Sequence, residues 1–280
     1  MIPIAGMGTR FMPVTKALAK ELLPIIDKPI IHYIVQEAVD AGIETIVFVT
    51  ARSKVNVEDY FDQNDYSRYR LIEKKKEKLI ESVLELSKKV DFVSIRQYEA
   101  KGLGHAVLTA EAAVGSDPFA VLLGDDVIDS GTSSSAIGQC IECFEKNNFH
   151  SSVGVLEVPK DETDKYGIVA LKNENEITSF VEKPKPEEAP SNWALPGRYV
   201  FDAKIFEYIK NTAPGKGNEI QLTDAMSLML QDHPYFAAKI SGERFDTGDK
   251  LGYLKANIRF ALEKSDYAEE LKNWLASKYF

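Results

Sequence analysis

Residues 1–10 read MIPIAGMGTR: Ile2, Pro3 and Ile4, then a turn holding two glycines that closes on Arg10. An apolar triplet running into glycines reads as a buried strand ending in a tight turn. In open α/β sheets ligands bind beyond the carboxyl ends of strands, and glycines there let backbone N–H groups approach a phosphate. Further strand patterns follow at ETIVFVT (44–50), DFVSIRQ (91–97), FAVLLG (119–124) and SSVGVLEV (151–158). Helical patterns separate them: PIIHYIVQEAVDAG, KVNVEDYF, IEKKKEKLIESVLELSKK, GHAVLTAEAAVG and SSAIGQCIECFEKN. This alternation predicts an α/β fold with a Rossmann-like, mostly parallel central sheet flanked by helices. Beyond it, YGIVALK, ITSFVEKP and ALPGRYVF are close together and turn-separated, which predicts added β structure. Helices are expected at 202–210, 221–231, 249–264 and 267–278. The spacing predicts one domain over 1–280, in three parts near 1–150, 151–247 and 248–280.

Two charged stretches read as surface. KPKPEEAPSN (183–192) is rich in Pro and charge between strand patterns, so it reads as a loop. KKKEKL (74–79) mixes signs within a helical period and reads as a solvated helix face. The chain of 280 residues carries a formal net charge of −9, which disfavours a general nucleic-acid binder. An acidic chain still binds polyphosphate if its cations gather at one place. No apolar run approaches bilayer length, so no membrane partner is expected. Met1 to Ile4 lead into the glycine turn without a signal-peptide pattern, so a cytoplasmic protein is expected. The cysteines, Cys140 and Cys143, form CIEC inside a helical pattern with no second ligand pair, so they read as helix packing. The four histidines show no metal spacing and receive no catalytic role.

The glycine turn fits neither of two familiar phosphate cradles. A dinucleotide loop needs GxGxxG and an acidic residue ending the second strand, but Phe11 replaces the third glycine and that strand ends in Thr50-Ala51-Arg52. A P-loop needs GxxxxGK followed by Ser or Thr, which is absent. Yet Arg10, Lys16, Lys20 and Lys28 crowd into nineteen residues of an acidic chain. Pro13, Pro24 and Pro29 predict a partly extended segment, able to wrap a triphosphate. A merely solvated loop is the alternative.

The stretch AGMGTRFMPVTKALAKELLPIIDKP resembles the signature of bacterial nucleotide-sugar pyrophosphorylases, and the resemblance continues through RQYEAKGLGHAV, VLLGDD, YGIV, FVEKP, GRYVF, GNEIQLTDA and RFDTGDKLGY. It is strongest to the uridylyl-transferring subgroup. One departure is Ala19, where that family often carries proline before its Lys-Glu pair. The resemblance implies a nucleotidyltransferase fold of the glycosyltransferase-A-like kind, a sugar-binding second half, and transfer of a uridylyl group from UTP to glucose 1-phosphate. It also implies a Mg²⁺ cofactor and a homo-oligomer, dimer or tetramer, with the C-terminal helices as a possible contact surface.

That reaction brings two polyanions together, and two unit charges at ~4 Å repel by about 4 kcal/mol at an effective dielectric of ~20. Catalysis then rests on fixed cations and alignment. By resemblance, Arg10 neutralises the leaving β- and γ-phosphates, Lys20 reaches the α-phosphate, Lys183 holds the sugar phosphate, and Glu182, with Gly167 of YGIV, meets the glucose. Asp125, ending the VLLG strand, and Asp246 of RFDTG are assigned to the metal, because Mg²⁺ takes one or two carboxylates plus phosphate oxygens and waters. Asp126 is left as a second ligand or a loop support. Ala5, Gly6, Gly8 and Thr9 would contact the nucleotide through the turn, Gln97 and Gly102 the base, and Glu21 a position near the nucleoside. Uracil and thymine differ by one methyl, typically worth only ~1–3 kcal/mol. A thymidylyltransferase, a uridylyltransferase for another sugar phosphate, a nucleotide-sugar glycosyltransferase and a non-catalytic sensor are the alternatives.

Overall fold

A computed structural model describes residues 1–62, 71 and 76–279. The strands in chain order are β1 (Ile2–Pro3), β2 (Pro24–Ile25), β3 (Lys28–Pro29), β4 (Thr45–Thr50), β5 (Asp91–Arg96), β6 (Phe119–Leu122), β7 (Asp126–Asp129), β8 (Ser152–Glu157), β9 (Gly167–Lys172), β10 (Glu176–Glu182), β11 (Trp193–Ala194), β12 (Arg198–Phe201), β13 (Phe236–Lys239) and β14 (Glu243–Asp246).

The parallel part of the sheet is built from the first half of the chain. β1 pairs with β4 and β4 with β5, all parallel. Met1 carries the sheet onward: its amino group donates to the Ala120 carbonyl at 2.6 Å, and its own carbonyl accepts from Leu122 N at 3.0 Å. That pattern sets β6 parallel beside β1. The carboxyl ends of β1, β4, β5 and β6 therefore open on one edge. They deliver the glycine turn, Ala51–Lys54, Gln97 and Gly124–Asp125 to that edge.

The second half adds mostly antiparallel strands, as its spacing predicts. β12 joins β6 and β8 antiparallel. β13 runs parallel to β8, and β10 pairs antiparallel with β13 and β9. β11 bridges β8 and β9. Two short ribbons, β2–β3 and β7–β14, stand outside this sheet.

Helices cover both faces because the strands alternate. Along β4, Ile46 and Phe48 join one core while Val47 and Val49 join the other, as the period of two requires. The helix Ile30–Asp40 buries Ile30, Ile31, Ile34, Val35 and Ala38, a stripe at helical spacing. Burying each Ile or Val side chain is worth roughly 1.5–3 kcal/mol. This helix ends at Gly42, with φ 80°, where Ile43 N bonds Ala38 O at 3.1 Å and Gly42 N bonds Val39 O at 3.0 Å. That Schellman closure needs a left-handed residue, so a β-branched residue at 42 would strain it.

Most expected elements occupy their expected places. Cys140 and Cys143 are buried free thiols on the helix Ala136–Lys146. The expected C-terminal helices occur as Ile205–Asn211, Leu222–Met229, Lys250–Lys264 and Ala268–Tyr279. Lys74 and Lys75 of the lysine run lie outside the described residues. Downstream, a short 3₁₀ turn precedes the helix Glu81–Lys89. The strands β7, β13 and β14 were not legible beforehand. Among the described residues no helix is long and apolar enough to cross a membrane.

Candidate active site

The glycine turn begins where Ile4 N bonds Val49 O at 2.8 Å. Gly8 sits at φ 66°, and a Cβ there would lie 3.1 Å from Lys20 Cβ and 3.3 Å from Thr15 Cγ2. The Thr15 hydroxyl donates to Gly8 O at 2.7 Å. The segment thus folds back on itself. It forms 3₁₀ turns at Thr9–Phe11, Val14–Lys16 and Lys20–Leu22, and the extension its prolines predict falls at Ala19, Leu23 and the short strands at Pro24 and Pro29. Pro13, at φ −87° and ψ −7°, enters a turn as readily as an extended stretch. The fold-back brings Lys20 beneath the turn, where a Cβ on Gly6 would lie 3.8 Å from Lys20 Nζ.

Lys20 reaches the end of β6. Its ammonium donates to Asp125 Oδ2 at 2.5 Å across 105 residues. Burial works against the ammonium, yet Asp125, Glu21 and Asp126 hold its pKa above the ordinary lysine value. Burial alone would raise the Asp125 carboxyl, but Lys20, with Arg244 and Arg10 contributing, holds it below the ordinary range.

Asp246 arrives from the other end of the sequence. The β7–β14 ribbon sets it opposite Asp126. Thr247 then ties across, donating to Asp125 O from its N at 2.9 Å and its hydroxyl at 2.7 Å. The two candidate metal ligands converge on Gly248, where a Cβ would fall 2.6 Å from Asp125 Oδ2 and 3.1 Å from Asp246 Oδ1. Only a residue without a side chain leaves that cradle open. Among the described residues no three His, Cys, Asp or Glu side chains form a metal cluster. The donor set is two hard carboxylates, which suits Mg²⁺ completed by phosphate oxygens and waters. Asp126 has a different environment. It is buried and paired with Arg244. Burial raises its pKa, Asp125 and Asp246 add to the rise, and Arg244 opposes it, leaving the carboxyl at about 7. Arg198 also bonds its carbonyl at 2.6 Å. These contacts make Asp126 a support of the ribbon.

A cavity of about 600 Å³ gathers Arg10, Lys183, Asp246, Arg244 and Tyr166. No hydrogen bond or ion pair engages the exposed guanidinium of Arg10 among the described residues. Lys183 is exposed and holds φ 45°, an uncommon left-handed conformation for a residue with a side chain. Its N–H bonds Tyr166 O at 3.0 Å, and Pro184 follows it. Tyr166 is itself fixed, its carbonyl accepting from Lys183 N–H while its hydroxyl accepts from Arg244 at 3.1 Å. Glu182 accepts from the Thr223 hydroxyl at 2.7 Å. A Cβ on Gly167 would lie 3.3 Å from Glu182 Oε2 and 3.0 Å from Leu195 Cδ1, so glycine allows that close approach.

On the nucleoside side, Ala5 is half-buried while Gly6 and Thr9 are exposed. Gly102 has φ 94°, and a Cβ there would lie 2.8 Å from both Glu219 Cβ and Ile220 O. The loop is clamped by Ile220 N to Lys101 O at 2.8 Å and Gly104 N to Ile220 O at 2.9 Å. Gln97, at the end of β5, is nearly buried and its amide nitrogen lies 2.8 Å from His105 Nδ1. Glu21 differs from the other assigned residues. It is fully buried, and its Oε2 accepts from Lys54 at 2.6 Å. Burial pushes its pKa up, offset only in part by Lys54 and Lys20. This places the carboxylate behind Lys20 and not on an open wall.

Sequence reasoning missed four contributors: Lys54, His105, Gly248 and the Glu37–Arg198 pair. Arg198 is fully buried, and Nε and Nη2 donate to the two Glu37 oxygens at 2.8 and 2.7 Å. Glu37 Oε1 also accepts from Ile137 N at 2.9 Å. Of these, the motifs GRYVF, GLGHAV and DTGDKLGY carried a signal for Arg198, His105 and Gly248, whereas Lys54 and Glu37 lay outside every motif.

Comparison with known proteins gives consistent matches. The nucleotidyl transferase family matches residues 1–262. A UTP–glucose-1-phosphate uridylyltransferase of Staphylococcus haemolyticus is 47% identical over 275 residues, covering 97% of this chain and 94% of that protein. A crystal structure of UDP-glucose pyrophosphorylase complexed with UDP-glucose is 41% identical, with TM-score 0.85, covering 94% of this chain and 98% of the other. A UTP-bound UGPase from Acinetobacter baumannii is 38% identical, with TM-score 0.90, covering 99% and 98%.

Proposed function

The chain belongs to the nucleotidyl transferase family, and from that premise we infer that it moves the uridylyl group of UTP onto glucose 1-phosphate, giving UDP-glucose and pyrophosphate. It is an enzyme, a nucleotidyltransferase. The observation that carries the residue assignments is the connected path from Lys20 to Asp125, across Gly248 to Asp246, and into the cavity shared by Arg10 and Lys183.

In the proposed reaction an oxygen of the sugar phosphate forms a bond to the α-phosphorus. The bond from that phosphorus to the bridging oxygen breaks, and its electron pair leaves with pyrophosphate. No protein nucleophile is needed, since the attacking phosphate is already anionic. Arg10 offers a planar fork to the β- and γ-phosphates. Lys20 stabilises charge on the α-phosphate, Lys183 holds the sugar phosphate, and Glu182, oriented by Thr223, accepts from glucose hydroxyls beside Gly167. Ala5, Gly6, Gly8 and Thr9 meet the nucleotide through the turn. Gln97 and Gly102 meet the base. Asp125 and Asp246 would hold Mg²⁺, which when bound supplies positive charge to phosphate oxygens. Lys20 neutralises Asp125 here, so one carboxylate that would hold the ion also positions the ammonium beside the α-phosphate site.

A cytoplasmic homo-oligomer, dimer or tetramer, completes the reading. Leu251, Leu254 and Ile258 form an exposed apolar stripe at helical spacing on Lys250–Lys264, the kind of surface a second copy covers. The test is a matrix of nucleoside triphosphates against sugar 1-phosphates, read as pyrophosphate release with Mg²⁺. UTP with glucose 1-phosphate is expected to be fastest. Faster turnover with dTTP would favour the thymidylyl reading, and no release from any pair would remove the enzyme.

A further inference from the structure

The Gln97–His105 contact has a direction. An amide nitrogen only donates, so at 2.8 Å the Nδ1 of His105 must accept. The imidazole is then neutral with its proton on Nε2. Burial, followed by Lys101, lowers the His105 pKa, with Glu99 opposing, which suits a neutral ring. His105 also lies in the first turn of the helix Leu103–Thr109, where the exposed N–H dipoles disfavour a cation. The backbone that carries the ring is held on both sides. Gly104 is bound to Ile220 O at 2.9 Å, and the His105 carbonyl accepts from the Thr109 hydroxyl at 2.8 Å.

The amide of Gln97 therefore cannot turn over freely. In the reverse orientation Oε1 would face Nδ1, which would then have to carry the ring proton, so the amide turns over only together with a change of the His105 tautomer. Among the described residues no protein group donates to Oε1, and that atom is not among the buried polar atoms left unpaired. What remains for a ligand is one acceptor and one N–H, side by side in fixed order. Uracil offers N3–H flanked by carbonyl oxygens, whereas cytosine offers a bare N3 beside an amino group. An amide can satisfy either edge, but only in opposite orientations: Oε1 toward N3–H of uracil, N–H toward N3 of cytosine.

We propose that His105 is a positioning residue for base specificity, fixing the Gln97 amide through Nδ1 so that the pocket accepts uracil and rejects cytosine. This rests on the reading that Gln97 meets the base.

The test measures kcat/KM for UTP and for CTP, each with glucose 1-phosphate, in the full chain and in His105→Phe, His105→Leu and Gln97→Ala. Thermal unfolding identifies the variants that fold as the native chain does, and the smaller His105→Leu serves if the phenylalanine is not accommodated. The native chain is expected to prefer UTP strongly. Either His105 variant is expected to shrink the UTP:CTP ratio at least tenfold, with KM for glucose 1-phosphate unchanged. A purely structural role would lower both nucleotides in proportion, and an unchanged ratio in a folded variant would overturn the proposal. An unchanged ratio in Gln97→Ala would overturn it as well, because the amide would then not read the base. A native chain inactive with UTP and glucose 1-phosphate would instead remove the uridylyl reading itself, a distinct result.

Discussion

Replacing Gly248 by alanine tests the two-carboxylate cradle with a single methyl. The added Cβ would stand 2.6 Å from Asp125 Oδ2 and 3.1 Å from Asp246 Oδ1, whereas ordinary contact begins at 3.4 Å. Relief therefore requires about 0.8 Å of retreat at Asp125 and about 0.3 Å at Asp246, if the oxygens alone move. Backbone strain adds little, since Gly248 is not among the positive-φ glycines. Mg²⁺ demands ligands at about 2.0–2.1 Å in near-ideal octahedral geometry, so a displacement of this size is not absorbed. Misplacing a reacting group by roughly 1 Å can cost about 10²-fold, equivalent to roughly 2.7 kcal/mol in the barrier. Gly248→Ala is thus expected to lower kcat about 10–100-fold and to raise the Mg²⁺ concentration for half-maximal activity. The unfolding midpoint should move little. The assay is pyrophosphate release across a Mg²⁺ titration, with circular dichroism as the fold control. A variant with native kcat and a native titration would refute the convergence of Asp125 and Asp246 on one ion.

Lys183→Ala should raise KM for glucose 1-phosphate roughly 10–100-fold, about 1.4–2.7 kcal/mol, while KM for UTP stays near native; equal rises for both substrates would contradict its place at the sugar phosphate. Glu37→Leu strands the buried Arg198 guanidinium and should cost about 3–5 kcal/mol in denaturant unfolding; a loss below about 1 kcal/mol would show that Asp126 O and Gly197 O suffice as partners. His32 is buried, and burial, followed by Lys28, lowers its pKa to about 4 from an ordinary 6.5, with Asp27 opposing. Between these values the unfolded chain binds the extra proton, so the stability from His32 is complete above pH 6.5 and lost as pH falls toward 4. Its size is about 3 kcal/mol at most. His32→Gln should flatten unfolding free energy against pH over that window, and an unchanged slope would assign the acid sensitivity elsewhere.

The first half of the fold was legible because its signals are local. Strands such as TIVFVT carry unbroken β-branched and aromatic runs, and the helix Ile30–Asp40 carries its apolar stripe at regular spacing. The short strands β7 and β14 escaped notice because DVID and ERFD hold too few residues for a period, and each becomes a strand only by pairing with the other. The prolines of residues 9–29 predict partial extension without saying where, because proline permits both: the strands take Pro24 and Pro29, and 3₁₀ turns take the stretch around Pro13.

The sequence by itself determined the parts list: a glycine turn, a crowd of cations after it, carboxylates at Asp125 and Asp246, and the motif order that marks the family. Each follows from residue type and neighbours along the chain. Tertiary structure alone decided which of these meet. Lys20 finds Asp125 across 105 residues and Arg198 finds Glu37 across 161. Glu21 retreats into a buried pair with Lys54, and Gly248 holds open a gap that only two distant carboxylates define. Burial and through-space charge depend on distances that chain order does not contain, so the electrostatics of the site emerged only once the strands had closed into a sheet.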